Sequence, residues 1–292
     1  MSEAAALAPF IAGFARAKIL CVGDAMLDRF VNGTVERVSP EAPIPVVRIT
    51  EAPTAMPGGA ANVAANVAAL GAHATLLCVV GDDDEGAELT DLLGRRGIAC
   101  TPFIDPGRPT TVKTRFAAAG QQLLRTDRED TAPLPPGLAG SLLEALADAV
   151  QATDAVVVSD YGKGVLTGEI LDALIAHAAA FGKPLIVDPT GRDYARYRGA
   201  PVVSPNRAEL ELACGHACHD DDDVARGARE VMARNGIGAM LVTRSQRGMS
   251  IVTAERADHL AVRAREVFDV SGAGDTVVAT FALAAAAGAP AI

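Results

Sequence analysis

Apolar and polar positions alternate along this chain in blocks that predict a parallel α/β fold. Short runs rich in Val, Ile and Leu predict buried strands at residues 18–23, 74–81, 155–160, 184–189, 201–206 and 239–244. Stretches with helical spacing or high alanine content predict helices near 59–70, 85–96, 137–150, 168–181, 206–213 and 222–235. Strands that are apolar throughout and alternate with helices are typical of a mostly parallel sheet with helices on both faces.

Two segments depart from this alternation. Residues 30–56 combine β-branched residues with many prolines, and residues 110–126 read as two strands around "AAAG". Because proline is confined to the edges of sheets, both segments predict a small antiparallel flap rather than central strands. A flap beside the carboxyl ends of a parallel sheet would lie over the usual ligand crevice.

Composition, charge and the length of the apolar runs limit the classes of protein to which the chain can belong. The chain has 292 residues, 50% of them apolar, which suffices for one large α/β domain or two small ones. A formal charge of -10 argues against a nucleic-acid partner. The apolar runs are shorter than the roughly 18 residues of a membrane span, and the start lacks the basic region of a signal peptide. Cysteines in strand-like runs favour reduced thiols and a cytoplasmic location.

The segment "SGAGD" at 271–275 has two glycines directly before an acid and ahead of apolar, helix-compatible sequence. The first turn of a helix has unpaired N–H groups, and Gly272, Ala273 and Gly274 would let an anion approach them closely. Asp275 would then take a proton from an attacking hydroxyl, as phosphoryl transfer requires. An aspartate that caps an ordinary helix after a turn explains the same residues.

Two further motifs also have two interpretations each. Gly58 and Gly59 precede a helix whose first turn holds Asn62, which suits a small polyhydroxy ligand or a plain helix start. Asn206 and Glu209 follow a strand at a spacing that puts both on one face of a helix. An amide and a carboxylate there suit Mg²⁺ and phosphate, and they also form the pattern of a capping box.

The segment "CGHACH" at 214–219 offers four metal-ligand side chains within six residues. Structural zinc sites usually need two ligand pairs held in a closed knuckle, and this spacing lacks that arrangement. The segment is therefore expected to be a loop between two helices. The acidic run that follows it is expected to be a solvated helix start.

Taken in order, the three motifs resemble those of the ribokinase/PfkB family of carbohydrate kinases. The Gly-Gly-x-x-Asn near residue 60, the Asn-x-x-Glu at 206–209 and the Gly-Ala-Gly-Asp at 272–275 resemble that family's sugar, Mg²⁺/ATP and catalytic motifs. The resemblance runs from about residue 18 to the end of the chain. It implies a single ribokinase-like kinase domain over residues 1–292, with a β-sheet lid, ATP as co-substrate and Mg²⁺ as cofactor.

Further segments resemble one branch of that family, the kinases that phosphorylate D-glycero-β-D-manno-heptose 7-phosphate at O1. They are "GDAMLDRFVNG", "RVSPEAPIPVV", "QQLLRTD", "SDYGKG", "YRGA" and "VTRSQRGMS". That branch acts in the synthesis of ADP-heptose for lipopolysaccharide, and many of its members are fused to an adenylyltransferase domain. The resemblance implies heptose 7-phosphate as substrate and a homodimer formed through the lid.

The resemblance also assigns roles to single residues. Asp275 matches the catalytic base, with Gly272, Ala273 and Gly274 as its anion hole. Sugar-contacting positions are matched by Asp28, Gly58, Gly59 and Asn62. The Mg²⁺/ATP motif is matched by Asn206 and Glu209, with Glu209 as the metal ligand. Thr243 and Gly248 lie where the family approaches the nucleotide.

Four cations lie in the segments that resemble the heptose enzymes. They are candidates for the 7-phosphate, which needs positive donors, and they are Lys113, Arg115, Arg125 and Lys163. The alternative for each is a solvated surface cation.

Three other functions stay open at this point. The chain could be a family member that acts on another sugar, such as a ribokinase-like or fructokinase-like enzyme. It could be a Rossmann-type oxidoreductase, although its early "CVGDAMLD" lacks the G-x-G-x-x-G turn. It could also be a sugar-binding module without catalysis, which an assay of ATP turnover would separate from a kinase.

Overall fold

A computed structural model of the chain describes residues 3–262 and 272–290. Its largest element is a nine-stranded sheet. In spatial order, with labels numbered along the chain, its strands are β16 (Ala257–Leu260), β15 (Met249–Val252), β14 (Ala239–Thr243), β13 (Val202–Val203), β12 (Leu185–Asp188), β11 (Ala155–Ser159), β1 (Lys18–Gly23), β5 (His73–Leu77) and β7 (Ala99–Cys100). All neighbours from β7 to β14 pair in parallel, and the pairs β14–β15 and β15–β16 are antiparallel.

The six helices that the sequence predicts are confirmed to within a residue or two. With the N-terminal helix and the helix after the glycine motif, the helices of the described residues are α1 (Glu3–Gly13), α2 (Ala60–Ala69), α3 (Asp84–Arg95), α4 (Pro136–Gln151), α5 (Gly168–Ala180), α6 (Arg207–Cys214), α7 (Asp221–Asn235) and α8 (Ala273–Ala286). None of them is both long and apolar enough to cross a membrane.

The sheet has a hydrophobic core on each face, because successive strand residues point to opposite sides. In β1, Leu20 and Val22 pack into the core under α4, α5 and α7. Ile19 and Cys21 pack into the other core, under α2, α3 and α8. The predicted parallel sheet with helices on both faces is therefore confirmed.

Two predicted strands are shorter or more divided than expected. Residues 74–81 do not form one strand, because β5 ends where its pairing with β1 ends, at Leu77. The chain then forms β6 (Val79–Gly81), which pairs with β8 (Phe103–Asp105) in a separate two-stranded sheet. The run at 201–206 contributes only the two residues of β13, since Pro201 and Pro205 have no N–H to donate.

A second sheet, here called the small sheet, forms where the flap was predicted. Its strands are β2 (Ala25–Val38), β3 (Pro45–Ile49), β4 (Thr54–Gly59), β9 (Val112–Ala118) and β10 (Gln121–Arg128). It is wider than the predicted segments 30–56 and 110–126, because β2 continues directly from β1 and β4 leads into α2. The prediction of a purely antiparallel flap is wrong, since β2 and β9 pair in parallel.

Candidate active site

The carboxyl ends of the central strands collect polar side chains at one edge of the main sheet. Asp24 follows β1, Asp160 follows β11, Asp188 ends β12, Asn206 follows β13 and Thr243 ends β14. The order of strands reverses beside β1, whose neighbours are β5 and β11. Such a switch point leaves a crevice outside the carboxyl ends, and it is where open α/β sheets bind ligands.

Asp275 lies in the first turn of α8, at the wall of this crevice. Its side chain is only 6% exposed, and two donors hold its carboxylate. The Asn62 amide donates to Oδ2 at 2.5 Å, and the Tyr161 hydroxyl donates to Oδ1 at 2.9 Å. Both oxygens therefore have fixed positions before any ligand arrives.

The surroundings of Asp275 suit a general base. Burial raises the pKa of this carboxyl above its ordinary value, the hydrogen bonds from Asn62 and Tyr161 oppose that rise, and the nearby charge of Asp28 adds to it. A carboxylate with a raised pKa accepts a proton more readily than one in water. Burial also raises the pKa of Tyr161, so this phenol stays protonated and remains a donor.

The glycines before Asp275 have different roles. Gly272 is the N-cap of α8 with φ of 73°, and a Cβ there would lie 2.6 Å from the Asn62 amide nitrogen. Gly274 is an ordinary helical residue that lines the crevice, with open space where its Cβ would be. Gly274 is not among the glycines with a positive φ. Ala273 begins the helix, and Ser271 lies outside the described residues.

Acidic groups face one another across the crevice. Burial raises the pKa of Asp188 well above its usual range, and the charges of Asp275, Glu209 and Asp160 raise it further. The pKa of Glu209 is also raised by burial, although hydrogen bonds at Asn206 oppose this rise. Carboxylates in such mutual repulsion favour the binding of a hard cation.

Asn206 and Glu209 form a capping box, which is one of the two roles that their spacing predicted. The Asn206 side chain accepts from the Glu209 N–H at 3.0 Å, and Glu209 Oε2 accepts from the Asn206 N–H at 2.8 Å. Both residues also line the crevice. The cap thus aims the two side chains toward the crevice, and the two interpretations are compatible.

The sugar-motif residues contact other protein groups. A Cβ at Gly58 would lie 2.4 Å from Asp28 Oδ2, so this glycine makes space for a carboxylate. Gly59 caps α2 with φ of 58°, close to the Asp24 carbonyl. The amide of Asn62, expected at the sugar, donates to Asp275.

The four phosphate candidates all have carboxylate partners. Three of them, Lys113, Arg115 and Arg125, lie on one face of the small sheet. In the pairing of the strands, Lys113 stands between Asp28 and Asp127, and Arg115 stands between Phe30 and Arg125. Their nitrogens contact carboxylates at Arg115–Asp28 (2.5 Å), Lys113–Asp127 (3.6 Å), Arg125–Asp127 (2.9 Å) and Lys163–Glu129 (2.8 Å).

Thr243 and Gly248 differ in position. Thr243 lines the crevice at the end of β14. Gly248 instead closes a tight turn with φ of 90°, where a Cβ would collide with the Leu260 carbonyl oxygen. The turn explains this glycine without a ligand.

Sequence reasoning missed Tyr161, Asp24, Asp160 and Asp188. Asp24 is 1% exposed and accepts from the backbone N–H groups of Tyr161, Lys163 and Val165 at 2.8, 3.0 and 3.2 Å, so it fixes the loop that carries Tyr161. The signal that could have found these residues is their place at the carboxyl ends of predicted parallel strands or directly after them.

The fold is that of known sugar kinases. Escherichia coli phosphofructokinase-2 in complex with fructose-6-phosphate matches with a TM-score of 0.73 at 24% identity, over 94% of this chain and 88% of that chain. Arabidopsis thaliana ribokinase complexed with ribose and ATP matches with a TM-score of 0.72 at 19% identity, over 93% and 86%. At these identities the likeness confirms the ribokinase-like fold.

The sequence comparisons give the family. Residues 16–291 match the pfkB family carbohydrate kinase model. The chain is 52% identical over 292 residues to the bifunctional protein HldE of Rhodospirillum rubrum, and 52% identical over 291 residues to that of Paramagnetospirillum magneticum. Each match covers 99% of this chain and 59% of the relative.

This chain therefore belongs to the PfkB family of carbohydrate kinases, and it is a sugar kinase. It spans about 59% of the length of those two relatives. The resemblance to the family is confirmed, and the alternative of a Rossmann-type oxidoreductase is wrong.

Proposed function

We propose that this chain phosphorylates D-glycero-β-D-manno-heptose 7-phosphate at O1, with ATP, in the synthesis of ADP-heptose. The observation that carries the chemistry is the buried Asp275 carboxylate at a helix N-terminus, held by Asn62 and Tyr161. The choice of sugar rests on the segments that resemble heptose kinases and on the 52% identity to the HldE proteins.

In the proposed reaction, the O1 hydroxyl of the sugar attacks the γ-phosphorus of ATP. The new bond joins O1 to that phosphorus, the bond from phosphorus to the bridging β–γ oxygen breaks, and ADP leaves. Asp275 accepts the O1 proton. The N–H groups of Ala273 and Gly274 lack partners within a helix and would stabilise the negative charge of the transferring group.

The crevice residues fit a bound Mg²⁺. Asp188 and Glu209 both line the crevice, and the charge of Glu209 contributes to the raised pKa of Asp188. Their carboxylate oxygens are ligands of the kind that Mg²⁺ prefers. Glu209 Oε2 is engaged by the backbone, and among the described residues no donor reaches Oε1. When bound, Mg²⁺ neutralises the charge of the ATP phosphates and helps to orient them.

The 7-phosphate is assigned to the cationic face of the small sheet. Arg115 and Arg125 stand opposite each other in register, and Lys113 is two residues from Arg115 along β9. Without substrate, these cations are paired with Asp28 and Asp127. A phosphate dianion would compete with the two carboxylates for them. Lys163 is the fourth candidate, from the loop that carries Tyr161.

The substrate is tested with a panel of acceptors at saturating ATP and Mg²⁺, with ADP release as the readout. Heptose 7-phosphate should be turned over with the highest kcat/KM, and ³¹P NMR should show a second phosphate at the anomeric carbon. Ribose, fructose and fructose 6-phosphate serve as comparison acceptors. A higher kcat/KM with any of these three would overturn the heptose assignment and leave the kinase class intact.

We also propose a homodimer formed through the small sheet, and a cytoplasmic location. Apolar side chains on that sheet and in its β2–β3 connection are exposed to solvent in the single chain, among them Val38, Ile44, Ile49 and Leu124. All five cysteines are free thiols, which suits a reducing compartment.

A further inference from the structure

The link between α6 and α7 brings three soft ligand side chains together. Cys214 is the last residue of α6, and His216 and Cys218 follow in the loop. One ligand atom from each lies within 4.8 Å of those of the other two. The sequence predicted only a loop here, because its spacing differs from that of a closed zinc knuckle.

The distance between the two sulfurs matches a metal site. Cys214 Sγ and Cys218 Sγ are 4.0 Å apart. Two sulfurs that bind one tetrahedral Zn²⁺ at about 2.3 Å are separated by about 3.8 Å, so the pair needs a shift of only about 0.2 Å. A disulfide would require them to approach to about 2.05 Å.

The imidazole of His216 has the outer partners that a metal ligand needs. A metal-bound histidine usually donates its other N–H to an oxygen. His216 Nε2 lies 3.1 Å from Glu230 Oε2, and its Nδ1 lies 3.2 Å from the Ala217 carbonyl oxygen. Whichever nitrogen binds the metal, the other keeps an acceptor.

A glycine in the facing helix leaves space for the cluster. A Cβ at Gly227 of α7 would lie 3.2 Å from Cys214 Sγ, 3.3 Å from Cys218 Sγ and 3.4 Å from the His216 ring. Glycine in a helix interior is destabilising relative to alanine. The closeness of all three ligands gives a physical reason for this residue.

We propose that Cys214, His216 and Cys218 bind one soft divalent transition metal of the Zn²⁺ class, with water in the fourth position. Thiolate and imidazole ligands select such metals over Mg²⁺. Acidic neighbours add to the attraction, since Glu211 Oε1 accepts from the Cys218 N–H at 2.9 Å and Glu230 lies against His216. The site is separate from the crevice, at the opposite end of α6 from Asn206.

A metal there would fasten the end of α6 to the start of α7. The helix has eight residues and is about 12 Å long, and its first turn carries Asn206 and Glu209. The ion would therefore brace an element that lines the nucleotide side of the crevice, without itself taking part in the chemistry.

The test is direct metal binding to the reduced, chelator-treated chain. Titration with Co²⁺ should give a thiolate-to-cobalt charge-transfer absorption that saturates at one equivalent of Co²⁺. Zn²⁺ should displace the bound Co²⁺. Cys214→Ser and Cys218→Ser should each weaken Zn²⁺ binding by at least about 100-fold, and Gly227→Ala should weaken it by crowding the ligands.

Two controls separate this cluster from other thiols and imidazoles. Cys100→Ser alters the other close thiol pair, in which Cys78 Sγ and Cys100 Sγ are 3.8 Å apart, and it should leave Co²⁺ absorption unchanged. His219→Ala, adjacent to the cluster, should also leave it unchanged. Circular dichroism of the metal-free variants checks that each is folded.

Three results would overturn the proposal. The first is the absence of charge-transfer absorption in the folded, reduced chain. The second is an equal loss of binding in Cys100→Ser and Cys218→Ser. The third is a Cys214–Cys218 disulfide, found by mass spectrometry in chain purified without reductant and free of metal.

Discussion

At the scale of single residues, the account depends on how Asp275 is held. Its place after two glycines could be predicted, because a glycine-rich helix start before an acid has a direct physical interpretation. The contact of Tyr161 with Asp275 could not be predicted, since the two residues are 114 positions apart in the chain. No periodic pattern marks such a contact, and it exists only because β11 and α8 meet at one edge of the sheet.

Tyr161→Phe should shift the pH dependence of catalysis. The Tyr161 hydrogen bond lowers the pKa of Asp275, so its removal should raise that pKa further. The base acts in its ionised form, and kcat should therefore begin to fall at a higher pH as the solution is acidified. The measurement is kcat against pH with saturating substrates.

Tyr194→Phe is the matched control for that experiment. Tyr194 is buried, and its hydroxyl has no hydrogen-bond partner among the described residues. Its pH profile should match the wild type. An unchanged acidic limb in Tyr161→Phe would contradict the role given to this phenol.

Substitutions at Gly272 and Gly274 should separate the effect of backbone strain from that of obstructing the crevice. Gly272→Ala should destabilise the fold by about 1 kcal/mol or more and displace Asn62, because φ is positive and the added carbon meets that amide. Gly274→Val should keep nearly the wild-type melting temperature but fill the crevice and raise the KM for ATP. Thermal melts and ATP kinetics on both variants check this. Equal melting temperatures of the two variants would contradict the assignment of strain to Gly272 alone.

At the scale of elements, local periodicity predicted the helices and failed at strand ends. A helix such as α4 has its apolar stripe within its own 16 residues, so the pattern suffices. A strand depends on its neighbours. The run at 74–81 divides between two sheets because β1 offers no partner beyond Val22, and the parallel pairing of β2 with β9 joins segments far apart in sequence.

The small sheet should be the dimer contact. Val38 and Ile49 are 64% and 55% exposed, and apolar surface of this kind favours burial against a second copy. Val38→Glu with Ile49→Glu should convert a dimer into a monomer in light scattering at micromolar concentration. Leu212→Glu, equally exposed on α6 at 62%, should leave the dimer intact. A monomeric wild type, or a dimer that survives the double change, would count against this interface.

At the scale of the whole molecule, the parallel sheet gathers carboxylates that repel one another. The fold class and the glycine, capping-box and acid motifs were predictable from sequence. The gathering of Asp160, Asp188 and Glu209 was not, because it depends on which strands are neighbours. The crevice thus carries a local cost in stability that a bound cation would relieve.

Asp188→Asn should stabilise the unliganded fold at neutral pH. The folded-state pKa of Asp188 is raised, so its cost in stability accumulates as pH rises from the ordinary carboxyl pKa to the folded-state pKa, and it is absent below that range. The variant should gain about 2–4 °C in Tm at pH 7, the shift produced by about 1 kcal/mol in a large domain, and the gain should shrink on acidification. Differential scanning calorimetry across pH measures it. A lower Tm of Asp188→Asn than of the wild type at pH 7 would contradict repulsion between Asp188 and its acidic neighbours.

The central claim is that Asp275 removes the proton from the sugar hydroxyl, and Asp275→Asn tests it most directly. Asparagine keeps the shape, and its carbonyl oxygen still accepts from one of the two donors, Asn62 or Tyr161. Its amide nitrogen donates where the second carboxylate oxygen accepted, and it cannot take up the proton. The account predicts that kcat falls by roughly 10²–10⁴ while Tm and the Kd for ATP stay near wild type. Asp275 is not the cap of α8, because Gly272 is the N-cap and no side chain caps the helix. A purely structural role of Asp275 in the first turn would predict nearly unchanged turnover, since asparagine has the same shape. A kcat near that of the wild type would contradict the account.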